Sequence, residues 1–306
     1  MAEFIHNPVM LAEVLDAMQP RAGGWYADGT LGGAGHAAAI LRASSPSGRL
    51  FGCDHDGAAL EAARVKLAEF AGRFEIRHGN FAELADWLPA GSCDGVLLDL
   101  GVSSPQLDTA GRGFSFQLDG PLDMRMDTRQ TRTAADLLNT ASVEELATIF
   151  WQLGEERQAR YFARAIERER PWRTTRQLAD LIERLAPRAG RRTHSATKVF
   201  QALRLAVNDE LGSLKRGLKA AWTVLKPGGR LVVITFHSLE DRLVKEFGRE
   251  LARDYTFPGT VDVPELRQPR TPLGRWAHRK AIKPGEAELA VNPRSRSAQL
   301  RILEKI

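Results

Sequence analysis

The sequence predicts an α/β protein, an open and mainly parallel sheet covered by helices and interrupted by a long helical segment. Three observations carry this. The first hundred residues alternate short apolar or β-branched runs with alanine- and leucine-rich stretches of helical period, as successive βαβ units do. From about residue 105 to 217 the period becomes helical or irregular. The β-branched run at 226–236, fed by Gly228 and Gly229, then restores the signature of a buried strand.

In chain order, residues 25–28 form a short strand closed by Asp28, and the loop Gly29-Thr30-Leu31-Gly32-Gly33-Ala34-Gly35 leads to a helix at 36–42. A serine, proline and glycine turn precedes the strand at 49–53, which Asp54 ends. A helix at 58–70, a strand at 74–78 and a strand at 94–98, closed by Asp99, complete the first part. Four strand-end loops therefore share one edge, the side on which open α/β sheets bind ligands. The clearest helices of the middle segment are 141–152, 156–169, 174–185 and 193–211. Ser238 and Asp241 are spaced as a capping-box variant that starts another helix, and 297–303 alternates as a final, antiparallel strand. This reads as a core at 1–104, an inserted helical domain at 105–217 and a returning core at 218–306.

With 306 residues the chain can bury a large core without staples. Cys53 and Cys93 follow no metal-ligand spacing and sit in apolar runs, so they read as inert core thiols in a reducing compartment, with no metal site. No apolar run approaches ~18 residues, and the N-terminal stretch lacks the basic and apolar regions of a signal peptide. The expected location is the cytoplasm, without a membrane partner. Lys and Arg number 43 against 38 Asp and Glu, a net charge of +5. Three basic segments stand out: Arg188, Arg191, Arg192 and Lys198; Arg267, Arg270, Arg275, Arg279, Lys280 and Lys283; and Arg294 with Arg296. Any one reads first as a solvated face. Together, with Trp276 and His278 interleaved, they favour nucleic acid, whose phosphates need cations and whose bases need planar surfaces.

The glycine loop behind Asp28 has two readings, a nucleotide-cofactor loop or a plain strand-to-helix turn. A carboxylate is an awkward neighbour for a pyrophosphate. It suits S-adenosylmethionine, whose ammonium and sulfonium are cationic. Asp54 stands 26 positions later, where a Rossmann-like unit grips ribose hydroxyls, and Asn80-Phe81 follows the third strand, where an adenine is bordered. The polar loop from Asp99 to Asp108 is placed for the acceptor, because a displacement mainly needs alignment and charge stabilisation. Asp123 and Asp127, one helical turn apart, read as acids bridged by Arg125 rather than as a catalytic pair. Of the lone histidines His194 and His237, the second lies on the ligand edge and has the better claim to line a base pocket. A nicotinamide oxidoreductase is disfavoured, since the loop lacks the G-x-G-x-x-G register. A non-catalytic RNA-binding or assembly protein on the same fold remains an alternative.

Several motifs, in order and almost end to end, resemble the bacterial small-subunit ribosomal RNA methyltransferase H family, also called MraW. They are His6-Asn7-Pro8-Val9-Met10, the glycine loop through His36, Asp99 to Asp108, Gly113-Phe114-Ser115-Phe116, Pro121 to Asp127, Thr193 to Arg204, Ile234 to Arg242 and Asn292 to Ser297. The resemblance implies a class I S-adenosylmethionine-dependent methyltransferase core, Rossmann-like, with an inserted helical domain. It implies methyl transfer to N4 of a cytidine in the decoding region of 16S rRNA, with 16S rRNA or the 30S ribosomal subunit as partner, and it leaves a homodimer open. Carried over by position, the cofactor contacts fall on Ala34, Gly35, His36, Asp54, Phe81, Asp99 and Gln106. Ala34 stands where a glycine is common, so it needs a negative φ or some strain. Enzymes that methylate exocyclic amines often carry Asp/Asn-Pro-Pro-aromatic after the fourth strand. This chain has Asp99-Leu100-Gly101-Val102 instead, so Asp99 with nearby carbonyls is the expected catalytic group polarising N4–H.

Overall fold

A computed structural model describes residues 8–187 and 194–306. His6, Asn7, Arg188, Arg191, Arg192 and Thr193, named above, lie outside the described residues. The chain divides into two compact units, one running to Gly101 and resuming over Gly212–Ile306, the other spanning Val102–Leu211.

In chain order the first unit holds α1 (Leu11–Met18), β1 (Trp25–Asp28), α2 (Gly35–Ala43), β2 (Arg49–Asp54), α3 (Gly57–Leu67), β3 (Phe74–His78), α4 (Leu84–Trp87) and β4 (Cys93–Asp99). The second holds α5 (Ser104–Asp108), α6 (Ala134–Thr140), α7 (Val143–Gly154), α8 (Ala159–Arg168), α9 (Thr175–Leu185) and α10 (Thr197–Val207). Helix α11 (Glu210–Val224) leads into β5 (Leu225–Thr235) and α12 (Ser238–Ala252). The short β6 (Tyr255–Thr256) and β7 (Gln268–Pro269) pair with each other, and β8 (Gly274–Trp276), α13 (Glu286–Val291) and β9 (Gln299–Lys305) finish the chain.

Among the described residues seven strands join in the order β3-β2-β1-β4-β5-β9-β8. The first five are mutually parallel, and β9 runs antiparallel between β5 and β8. That is the class I methyltransferase order, and the antiparallel last strand matches the alternation at 297–303. Period-two placement gives the sheet two dry faces. Tyr26, Leu50, Leu97, Val232, Ile234, Leu300 and Ile302 pack with Val14, Ile40, Leu41 and Leu60 of the helices on one side. Ala27, Phe51, Val96, Leu98, Leu231, Val233 and Leu303 pack with Leu214, Leu218, Val224 and Val244 on the other. The second unit has its own core, in which Phe150, Phe162, Ile166, Leu178, Ile182, Val199 and Leu203 meet Leu122 and Met124 of a preceding loop.

Three sequence expectations change, and a fourth is decided between its two alternatives. The helix expected over 193–211 is two helices, because Asn208 and Asp209 interrupt it and Asp209 adopts a left-handed φ of 46°. Asn208 is held out of the helix by longer-range bonds: Oδ1 accepts the Met126 N–H at 2.7 Å and Nδ2 donates to the Met124 carbonyl at 2.8 Å. Asp123 and Asp127 lie in an irregular loop rather than on a helical turn. Asp123 pairs with Arg125 at 2.7 Å, as the bridged reading expects, but Asp127 pairs with Arg129 at 2.7 Å. Helix α12 is capped from His237 with Glu240 rather than by Ser238 and Asp241, and Asp241 binds Arg301 and Lys245 instead. Ala34 takes the strained alternative, φ 58° and ψ 30°, immediately before α2.

Candidate active site

Register explains why carboxylates gather at one edge. Parallel pairing sets Asp28 beside Gly52 and Leu97, and Asp99 beside Ile234, so adjacent strands end together. Strands β1, β2 and β4 each close on an acid where the apolar run stops, whereas β3 closes on His78 and β5 on Thr235. Asp28 is 1 % exposed and its Oδ1 accepts the Thr30 N–H at 3.1 Å, which folds the loop back over the strand end. Asp54 ties two loops together: Oδ2 accepts the Gly32 N–H at 2.7 Å and Oδ1 accepts the Asp56 N–H at 2.8 Å. The backbone N–H of Asp99 donates to Thr30 Oγ1 at 2.6 Å. Its carboxyl is left differently placed, with Oδ1 buried and without a hydrogen-bond partner, and Oδ2 3.8 Å from His36 Nδ1. His36 Nε2 donates to the Val9 carbonyl at 2.9 Å, which turns Nδ1 toward the acid.

A fourth acid was not singled out from the sequence. Glu240 is 2 % exposed; its Oε2 accepts the N–H groups of Phe236 at 2.8 Å and His237 at 3.3 Å, and Oε1 lies 3.1 Å from His237 Nε2. The usable signal was its position three residues after His237, obscured because histidine is an uncommon cap. Burial pushes Asp28 up to about 7 and Asp54 to about 6. Burial also raises Asp99 well above the carboxylate range, and the charges of Asp28 and Glu240 add to the effect. Acids gathered at one edge, three of them raised by burial, resist ionising together, and a cationic ligand relieves that.

The glycines leave room only for backbone. A Cβ on Gly29 would stand 2.6 Å from Leu98 Cδ2 and 2.7 Å from Phe81 Cβ, and one on Gly35 would stand 3.0 Å from the Pro8 ring. Phe81 is 6 % exposed and fills the space between Gly29 and Gly217 of α11, so it supports the loop from within the core. Asn80 caps the turn before it, accepting the Ala82 N–H and donating to Ser213 Oγ at 2.8 Å. Gln106 belongs to the second unit, where its Oε1 accepts the Ser103 N–H at 3.0 Å at the start of α5. His194 is a local cap there, its Nδ1 accepting the Ala196 N–H at 3.1 Å.

The family model described as "MraW methylase family" matches residues 3–306. The chain belongs to the MraW methylase family. It is 53% identical to the ribosomal RNA small subunit methyltransferase H of Geobacter sulfurreducens, covering 99% of each chain. The protein of the same name from Syntrophotalea carbinolica is 51% identical, covering 99% of this chain and 98% of that one. The Symbiobacterium thermophilum protein is 49% identical, covering 99% and 97%.

In this MraW methylase the basic segments are less free than their composition suggests. Arg267 pairs with Asp262, Arg270 with Glu250 and Arg275 with Glu304, and Lys198 donates to the Glu155 carbonyl at 2.7 Å. Trp276 is not an open stacking platform. Its ring fills the space that a side chain on Gly248 would take, and the Arg301 guanidinium lies 5.7 Å from its centre.

Proposed function

We propose that this chain transfers the methyl group of S-adenosylmethionine to N4 of a cytidine in the decoding region of 16S rRNA. The observation that carries the reading is the sheet edge where the buried Asp28 and Glu240 stand with the half-buried Asp54 and Asp99, and where Asp99 keeps a buried oxygen without a hydrogen-bond partner. When bound, S-adenosylmethionine supplies an electrophilic methyl group on a cationic sulfur. Asp28 favours that positive end electrostatically while holding Thr30 in place. Each Asp54 oxygen spends one lone pair on a backbone N–H and keeps another for a ribose hydroxyl. Ala34, Gly35 and His36 present backbone at the start of α2, and Phe81 keeps Gly29 close to the ligand.

The exocyclic amine of cytosine is a weak nucleophile because its lone pair is delocalised into the ring. As the nitrogen gains a methyl group it must give up a proton. Asp99 offers a buried acceptor atom without a partner, and a neighbouring positive charge favours its ionised form. Gln106, a cofactor contact by resemblance, lies in the second unit, and the helical segment 105–217 is assigned to RNA recognition. The names of the relatives support rRNA as the substrate class. The test is transfer of tritium from the methyl group of S-adenosylmethionine to 30S particles, followed by mass spectrometry of the labelled nucleotide. Label on N4 of one cytidine is expected; cofactor-independent RNA binding without label overturns the enzyme reading.

A further inference from the structure

Helix α8 carries a row of arginines that the fold does not use. The helix buries Phe162, Ala163, Ala165 and Ile166 in the core of the second unit. The opposite side exposes Arg160, Tyr161, Arg164 and Arg168, with Arg157 in the turn just before. Spacings of three and four residues keep these on one face. Elsewhere in the same unit Arg125, Arg129, Arg132 and Arg184 are each paired with a carboxylate. Arg157, Arg160, Arg164 and Arg168 have no such partner among the described residues.

Like charges at these spacings destabilise a helix, so an unneutralised row works against folding unless something else satisfies it. From Arg157 to Arg168 the row extends about 16 Å at helical rise, with one cation per turn. A polyanion with repeating charges fits a row better than a single phosphate does. Tyr161 is 49% exposed and lines a cleft with Val143, Glu144, Arg164, Glu167 and Arg168. An open aromatic ring beside guanidinium groups is the arrangement that holds unpaired bases and their phosphates. Glu144 and Glu167 add acceptors for base amino groups, and they also make the face a poor match for an anionic lipid surface.

We propose that the exposed face of α8 docks the phosphodiester backbone of an unpaired stretch of the RNA substrate, with Tyr161 stacking on one of its bases. The proposal rests on the rRNA reading above for the identity of that RNA. The variant R160Q/R164Q/R168Q removes the charges at nearly equal helix propensity, and Y161A removes the ring. R184Q, which breaks the exposed pair with Glu169, controls for charge alone.

Binding of full-length protein to 30S particles and to a single-stranded RNA is measured across salt concentration, with the titration of S-adenosylmethionine as a check on the first unit. The triple variant is expected to lower the magnitude of the log K against log salt slope by about 2 and to weaken RNA binding at least about tenfold, because three phosphate contacts are lost. Y161A is expected to weaken binding by about tenfold with little change in slope. R184Q and the affinity for S-adenosylmethionine are expected to stay within about twofold of wild type. An unchanged slope and affinity in the triple variant overturns the proposal, as does binding to phosphatidylserine vesicles in place of RNA. If wild-type protein transfers no methyl group to 30S particles, the functional reading fails, while the slope on single-stranded RNA still decides the α8 face.

Discussion

Asp28, Asp54 and Asp99 end adjacent parts of one sheet edge yet have different work. Asp54 has both oxygens engaged by backbone N–H groups, Asp28 has one, and Asp99 has a buried oxygen with none. An atom left unsatisfied in the free protein is the one with most to gain from a ligand. Asp99→Asn keeps the shape and removes the charge, and a fall in single-turnover methylation of about 100-fold is expected. A variant that binds S-adenosylmethionine normally and retains the wild-type rate removes Asp99 from catalysis. Asp28 and Asp54 also set a pH dependence. Their folded values, about 7 and about 6, exceed the ordinary 3.8, so the folded chain holds protons that the unfolded chain has released. Stability contributed by these groups is present at low pH, falls as pH rises from about 4, and is lost above about 7. Asp28→Asn retains an oxygen for Thr30 and no longer titrates. Melting temperature should therefore fall less steeply between pH 5 and 7.5 in this variant than in wild type. Equal slopes would show that Asp28 does not titrate in that window.

At the scale of elements, β1 to β5 and β9 were legible because each is an apolar, β-branched or alternating run, a pattern that depends on neighbours in sequence alone, whereas β6, β7 and β8, of two or three residues each, offer no such run. The carboxylates that end β1, β2 and β4 were legible for the same reason. The break after α10 was not, because it depends on Asn208 binding Met124 and Met126, which are more than eighty positions away. Helix α1 and helix α11 were also unforeseen; in α11, Gly212 and Gly217 weaken the local signal. Gly217 is there for packing. A side chain at that position would overlap the Phe81 ring, which is itself confined by Gly29. Gly217→Ala gains about 1 kcal/mol of helix propensity, but overpacking costs about 1–3 kcal/mol, so net destabilisation is expected together with weaker cofactor binding. Thermal melting and calorimetric titration read the two effects. Asn208→Ala should cost about 2–3 kcal/mol, since it strands the buried Met126 N–H and the Met124 carbonyl. Chemical denaturation monitored by the tryptophans Trp151 and Trp172 of the second unit measures that loss, and a change below about 0.5 kcal/mol would mean that solvent replaces the bonds.

The whole molecule contains two separate sets of buried contacts. The core of residues 102–211 draws on none of the residues that form the two faces of the sheet, and Asp28, Asp54, Asp99 and Glu240 all lie in the sheet unit. Cooperative unfolding is a property of a shared core, and chains with distinct cores depart from a single transition. Calorimetric melting is therefore expected to show two transitions rather than one. With the proposed site on the sheet unit, S-adenosylmethionine or its demethylated product should raise one of them. At a hundredfold excess over Kd the stabilisation is about 2.7 kcal/mol, which for a unit of this size corresponds to roughly 5–10 °C. Asn208→Ala should lower the other transition and leave the ligand-induced shift intact, since among the described residues the Asn208 side chain bonds within the second unit. A single transition that both the ligand and the Asn208 variant move by equal amounts would establish instead that the two cores melt as one, and would make the second unit part of what stabilises the cofactor edge.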